Sequence, residues 1–425
     1  MSKNLTKVSE IIEEISMGPF GSDIKVDNFV ETGVPVLNGA NLPKFKLLEE
    51  EFRYVTPDKA RTFRKAIAKR GDIVITHRGT LGQISYIPDN SKFKEYVISQ
   101  SQFRVALNRQ LVDPAFFVYY FHTSEGQKRL LANKCHVGVP ALAQATTNFR
   151  LIEIPLPSLP TQKKIAALLS ALDSKIELNN RINAELEAIA KTLYDYWFVQ
   201  FDFPDKDGKP YKTSRGKMVW NEELKREIPE GWEMQNLGKI GNFKNGVNYD
   251  PSHPGEIACP IINVRNISSS RFFLKNEDLD IIYLRESDVR KYSVHSGSII
   301  IARSGIPGAT RLISDMAENT LYCGFAIHYE LQDLNLKIPV FFFLKSIEQQ
   351  IQSGSGGTIM KNVNQATLND LKITLPKKEN VIKGFNNKID PLFAKINSIQ
   401  KENQELAELR DWLLPMLMNG QVKVS

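Results

Sequence analysis

From Ile165 onward the chain repeats apolar or amide side chains at alternating steps of four and three: Ile165, Leu169, Leu172, Ile176, Asn179, Asn183, Leu186, Ala190, Leu193 and Trp197. This is the spacing of a coiled-coil seam. Neither Gly nor Pro interrupts the run, and at 1.5 Å per residue it makes a rod on the order of 50 Å long. A helix of that length with one apolar stripe needs a second helix to cover it. The chain supplies one near its end, where Ile389, Leu392, Ile396, Ile399, Asn403, Leu406, Leu409 and Leu413 follow the same spacing. If the two run antiparallel, Asn179, Asn183 and Asn403 fall near the midpoints. A buried amide layer there costs stability and fixes register.

What precedes each helix is one plan written twice. KRGDIVITHRGTLGQISYIPD matches HSGSIIIARSGIPGATRLISD without a gap, so Gly71, Gly79 and Gly82 fall on Gly297, Gly305 and Gly308. PVLNGANL is echoed by PIINVRNI, DPAFFVYYF by IPVFFFLKS, and LAQATTNFRLIEIPLP by VNQATLNDLKITLP. A period of roughly 225 residues is too long for a solenoid unit and indicates domain duplication. In each copy the glycine-bearing segment reads as strand, turn, strand, DPAFFVYYF and IPVFFFLKS as buried helices, and the last segment as a loop into an exit strand. FDFPDKDGKPYKTSRGKMVWNEELKREIPEGWEM, between the copies, reads as an extended surface linker.

A net charge of +7 permits a polyanionic partner, but the basic excess sits in the first copy and the C-terminal segment, and residues 161–376 balance to zero. Nucleic-acid binding by the second copy would need a local patch. The longest apolar runs fall short of a membrane span and the N-terminus has no apolar signal core, so a cytoplasmic location is expected. Cys135, Cys259 and Cys323 are scattered singly, which offers no disulfide framework or zinc pair. We expect them to be buried.

Catalytic signatures are few. Pro204-Asp205 followed by Glu223-Leu224-Lys225 spells a nuclease core, yet it lies in the polar linker and in one copy only, whereas metal-dependent cleavage needs rigidly held carboxylates. Gly216-Lys217 lacks the phosphate-loop glycine, no amino-methyltransferase motif is present, and no histidine pairs with a second ligand at helical spacing. A standalone nuclease and a non-nucleic-acid coiled-coil scaffold remain the rival functions.

Recognition chemistry is better represented. The two turns carry His77, Arg78, Thr80 and Gln83, and Arg303, Ser304, Thr310 and Arg311. Arg suits guanine, Gln suits adenine, and a two-stranded ribbon fits the major groove. A hairpin with solvated polar tips is the competing reading. Ser99, Gln100, Ser101, Gln102 and Arg104 are polar groups inside an apolar strand pattern and form a second set. Lys361, after the SGSGGT loop, suits a phosphate.

Over its whole length the chain resembles the specificity subunit of type I restriction-modification systems. RINAELEAIAKTLYDYWFVQFDFPDKDGKPYK and GKMVWNEELKREIPEGWE are similar to the central conserved region of one branch of that family, and GDIVITHRGTLG and LPSLP also fit. The family usually has Glu-Gln after its exit prolines, where this chain has Thr161-Gln162 and Lys378-Glu379-Asn380. The resemblance implies an α+β protein: two duplicated mixed α/β target-recognition domains separated by a long antiparallel two-helix coiled coil with pseudo-two-fold symmetry. The expected divisions are 1–160 for the first recognition domain, 161–202 for the central helix, 203–230 for the linker, 231–376 for the second domain and 377–425 for the C-terminal helix. It further implies a non-catalytic subunit that reads a bipartite asymmetric site on double-stranded DNA. Expected partners are two copies of a methylation subunit and, through them, a restriction subunit. S-adenosylmethionine, ATP and magnesium would be used by those partners, and no cofactor or metal is expected in this chain.

Overall fold

Gly71, Gly79 and Gly82 adopt φ of 90°, 89° and 88°, and Gly297, Gly305 and Gly308 adopt 91°, 75° and 81°, in the computed structural model of the protein. Side chains bearing a Cβ rarely enter this region, so the glycines that align in the sequence do the same backbone work in both copies. The structure describes residues 5–19, 23–135, 139–249, 255–276, 279–353, 363–422 and 424.

The chain divides into two compact units, residues 1–178 with 403–425, and residues 179–402. The first contains a four-stranded antiparallel sheet in the order Ile12–Met17, Gln102–Leu107, Ile73–Thr76, Ile84–Tyr86. The second contains Gly241–Asn245, Ala326–Leu331, Ile299–Ala302 and Thr310–Leu312 in the same order. A second sheet repeats as well: Val34–Val36 lies parallel to Glu95–Val97, as Ile257–Ile262 does to Leu321–Tyr322. Immediately after these strands Asn41 Oδ1 accepts the Asn38 backbone N–H at 2.9 Å, and Asn266 Oδ1 accepts that of Asn263 at 2.8 Å. The PxxN signal is thus a helix cap used twice.

The FFVYYF segment forms helix Pro114–Phe121, capped by Asp113 and buried along nearly its whole surface, and Lys337–Ser353 is its counterpart. Two segments read as loops are short helices instead, Ala145–Arg150 and Gln365–Asp370. Asn364 caps the latter by accepting the Thr367 N–H at 2.9 Å, a local bond that winds the loop into a helical turn. The linker also departs from expectation. Met218–Asn221 and Arg226–Pro229 pair as a hairpin, and Phe203 is stacked between Tyr211 and Trp232 at 4.7 and 5.3 Å, so this segment folds on buried aromatic area.

The first long helix runs from Leu159 to Tyr194 and continues into a π-turn, Asp195–Val199, where Gln200 N–H reaches Asp195 C=O. The extra residue in this turn leaves Trp197 and Phe198 both buried. Gln162, fully buried in its first turn, accepts the Asp113 N–H at 2.9 Å and donates to Leu111 and Pro157 carbonyls. The second helix runs from Glu379 to Met418, which settles its start. It contains Pro391 and Pro415, both exposed, so the ladder bonds they remove face water.

Within each unit the two helices run antiparallel. In the first, Ile165, Ala166 and Leu169 share a core with Leu414, Leu417 and Met418, and Arg410 Nη1 lies 2.7 Å from Asp173 Oδ1. In the second, Asn179 Nδ2 donates to Glu402 Oε2 at 3.0 Å, and Trp197 packs on Phe385 at 5.5 Å. The amide at the middle of the seam is therefore held by Glu402, the neighbour of Asn403, which is half-buried. Ile389, Ile396 and Ile399 are buried seam positions, as read from the sequence, while Leu172, Ile176, Leu186, Leu193, Leu392, Leu406 and Leu413 are half-buried. Leu409 is a correction: it is 43 % exposed, because the inward face of the last turns runs through Arg410, Leu414 and Leu417, one residue on from the spacing read.

His328 sits on the strand position that Arg104 occupies in the first copy, opposite Ile300 as Arg104 is opposite Val74. It is buried, Nε2 has no hydrogen-bond partner, and Tyr322 and His295 pack edge-on at 5.6 and 5.8 Å. Burial pushes its pKa down to about 4, with His295 and Lys244 reinforcing the shift and Glu330 opposing it. The unfolded state then takes up a proton below about pH 6.5 that the folded state refuses. Stability should fall as pH drops from 6.5 toward 4, by roughly 3 kcal/mol at the lower end. Urea midpoints of His328→Gln should show a flatter dependence on pH across this window. An unchanged slope would show that His328 does not titrate there.

Candidate nucleic-acid interface

In the first unit, strand Ile73–Thr76 leads into a turn whose exposed residues are Arg78, Gly79 and Thr80. Backbone bonds tie this turn to two neighbours. His77 N–H donates to Ser101 C=O at 2.8 Å, Leu142 N–H donates to His77 C=O at 2.9 Å, and Gly79 N–H donates to Pro140 C=O at 2.9 Å. The His77 ring nitrogen Nε2 lies 3.1 Å from Gln100 C=O, an acceptor only, so Nε2 carries the proton. Burial lowers the His77 pKa and keeps the ring neutral near pH 7. Gln83 is occupied: Nε2 donates to Gly39 C=O at 2.9 Å, and Oε1 accepts from Thr76 Oγ1 at 3.1 Å.

Segments 77–83, 99–102 and 139–142 thus make one edge of the domain. VISQSQFRV is not a continuous strand but two, Glu95–Val97 and Gln102–Leu107, joined by a turn closed by Gln102 N–H to Ser99 C=O at 3.0 Å. The turn exposes Gln100 and half-exposes Ser99 and Ser101. Beside it lies a groove of about 400 Å³ bordered by Asn38, Arg53, Ser99 and Gln100, with Phe29 and Val36 as its apolar wall. Asn38 and Arg53 were not singled out from the sequence. The signal was available in the PxxN repeat, whose cap brings Asn38 to this edge.

The second unit builds the same edge. Arg303 N–H donates to Phe325 C=O at 2.9 Å and Val363 N–H to Arg303 C=O at 3.3 Å, reproducing the His77 to Ser101 and Leu142 to His77 bonds. Arg303 Nη1 reaches Gly324 C=O at 3.3 Å, and Ser304 is half-buried beside it. Lys361 lies outside the described residues.

Four sequence candidates turn inward. Gln102 is fully buried and caps its own turn, its Oε1 accepting Ser99 N–H at 3.0 Å. Arg104 is buried between Glu14 and Asp72 at 2.6 and 3.2 Å and donates to Lys65 C=O. Its hydrogen bond, and then its charge, hold the Glu14 carboxyl below the usual range, whereas burial dominates at Asp72 and raises it. Thr310 is fully buried, with N–H on Glu348 Oε2 and Oγ1 on Gly308 C=O. Arg311 is buried, donates from Nε to the Ile267 and Ser270 carbonyls, and pairs with Glu348 at 3.1 Å. A base cannot reach these groups. They hold the edge from behind.

The nuclease-like residues are engaged elsewhere. Asp205 Oδ1 accepts the backbone N–H groups of Asp207 and Lys209, Glu223 pairs with Lys372, and Lys225 lies 3.3 Å from Glu222. Among the described residues no cluster of three His, Cys, Asp or Glu side chains could hold a metal ion. No described helix is long and apolar enough to cross a membrane. Cys259 and Cys323 are buried as expected, but Cys135 is exposed.

Comparison with known proteins agrees with this geometry. A family model described as the type I restriction modification DNA specificity domain matches residues 27–188 and again 229–408, one match per copy. The type I restriction enzyme MjaIX specificity subunit of Methanocaldococcus jannaschii is 25 % identical over 89 % of this chain and 85 % of its own. The HindI specificity subunit of Haemophilus influenzae is 25 % identical over 96 % of this chain and 99 % of its own. Among solved structures, the S subunit of a type I restriction-modification system from M. genitalium aligns with a TM-score of 0.54 at 16 % identity, covering 98 % of this chain and 96 % of that one, a likeness of fold. With two matches to the family model spanning most of its length, on two copies of one sheet plan, this chain belongs to the type I restriction-modification DNA specificity family.

Proposed function

We propose that the chain reads a bipartite, asymmetric site on double-stranded DNA, one half with each domain edge, and carries two methylation subunits, and through them a restriction subunit, on its long helices. The family is one of recognition subunits, and catalysis lies in their partners. S-adenosylmethionine, ATP and magnesium belong to those partners in this reading.

One observation carries it. The same edge is built twice on the same sheet order, but its side chains differ: His77, Arg78, Thr80, Gln100 and Ser101 in the first copy, Arg303, Ser304 and Phe325 in the second. Two identical edges would suit a palindrome, and two different edges on one scaffold suit two unlike half-sites. Arg78 and Arg303 suit guanine and Gln100 suits adenine. Gel shift of the chain assembled with its methylation subunits, against cognate and competitor DNA, tests the reading. Selective retention of cognate duplex is expected. Equal displacement by any competitor would support a scaffold role, and cleavage by the chain alone with magnesium would support a nuclease.

The helices leave apolar side chains in water. Leu168, Leu178 and Ile189 on the first, and Trp412 with Leu409 on the second, are 37 to 57 % exposed. Large exposed apolar groups on a helix mark a docking surface. Leu178→Glu, Ile189→Glu and Trp412→Glu should leave the chain folded, since none is core, and should abolish co-purification with the methylation subunits. Retained assembly would place docking elsewhere.

A further inference from the structure

Among the exposed aromatic side chains described, Phe325 is the most exposed, at 65 %. It occupies the recognition-edge position that Ser101 holds in the first copy. Its backbone is fixed. The Cys323 to Ala326 turn is closed by Ala326 N–H to Cys323 C=O at 2.8 Å, Phe325 C=O accepts from Arg303, and Ala326 C=O accepts from Gly246 N–H at 3.1 Å. Polar groups flank the turn. Arg303 Nη1 bonds to Gly324 C=O, and Asn248 lies so close that a Cβ on Gly324 would sit 1.9 Å from Asn248 Oδ1. An aromatic ring therefore projects into water from a rigid turn, beside a guanidinium and an amide.

Leaving such a ring exposed forgoes the burial it would gain in a core, while Cys323 and Ala326 on either side of it are buried. The surroundings identify what would cover it. Arg and Asn are groups that bond base edges, and a base stack offers an apolar face between those edges. We propose that Phe325 is a wedge that inserts into the base stack of the second half-site, unstacking one step there. The first half-site, met by Ser101, is read without such distortion. A wedge makes that half sensitive to the deformability of the step it opens, so pyrimidine–purine steps are favoured at that position.

The inference rests on the DNA-recognition reading above. Its test uses the chain assembled with its methylation subunits and cognate duplexes carrying 2-aminopurine at each purine not methylated, in either half-site. With the native chain, fluorescence should rise several-fold on binding at one position of the second half and stay low throughout the first. Phe325→Ser, which copies the first edge, should abolish that rise and weaken binding by roughly tenfold, the scale of one lost base–aromatic stack. Phe325→Trp should retain the rise. A native complex that binds tightly with no rise in the second half would overturn the wedge while leaving DNA recognition intact. So would a Phe325→Ser variant with unchanged fluorescence and affinity. Failure of the native complex to prefer its cognate duplex would overturn both.

Discussion

Glu348→Leu is expected to destabilise the second unit by about 3–5 kcal/mol, the usual cost of leaving one member of a buried ion pair without its partner. Glu348 is buried and accepts from Arg311 Nη1 at 3.1 Å, Lys345 Nζ at 2.6 Å and the Thr310 N–H at 3.1 Å. Lys345 can escape the loss by shedding its proton, since burial already lowers its pKa. Arg311 cannot, because guanidinium stays charged, and its remaining bonds to the Ile267, Ser270 and Thr310 carbonyls supply no counter-charge. The double variant Arg311→Met with Glu348→Leu should recover much of the loss, because an apolar pair of similar volume removes both desolvation costs. Denaturant midpoints of the two single and the double variants decide it. A single variant within 1 kcal/mol of the native chain would mean that the network is dispensable.

Arg303→Ala should relax base preference in one half of the DNA site only. A bidentate Arg–guanine contact discriminates by about 1–3 kcal/mol, so preference at one base pair should fall by roughly 5- to 150-fold. Arg78→Ala should act on the other half. Arg303 has a second duty, its bond to Gly324 C=O, and losing that bond would loosen the turn bearing Phe325. Arg303→Lys separates the two effects, because a lysine keeps the charge and not the fork. Selection of bound duplexes from a pool randomised in both halves reads the outcome. Relaxation spread over both halves would mean that Arg303 supports the fold and not the readout.

Much of the architecture was legible because it is written in periods and in special residues. The four-and-three spacing gave both long helices, the aligned glycines gave both strand–turn–strand units, and the PxxN echo showed the duplication, though not the helix caps that it forms. The inside and outside of the recognition edge were harder. Arg104 and Arg311 look like base readers because a pattern cannot see that Glu14, Asp72 and Glu348 lie across the fold to neutralise them. Gln102 looked free because the turn that it caps was read as strand. Phe325 carries no signal in the sequence, and only its register beside Arg303 shows it at the edge. Leu409 followed the heptad, yet the inward face there has shifted by one residue, to Arg410, Leu414 and Leu417.

In the proposed function, two unlike edges read two unlike half-sites. Mapping of methylated adenines across the genome of a host expressing this chain with its methylation subunits tests it most directly. One motif is expected, made of two different short specified sequences separated by unspecified bases, with its first half altered by Arg78→Ala and its second by Arg303→Ala. A continuous or palindromic motif, or a motif that neither substitution changes, would contradict it.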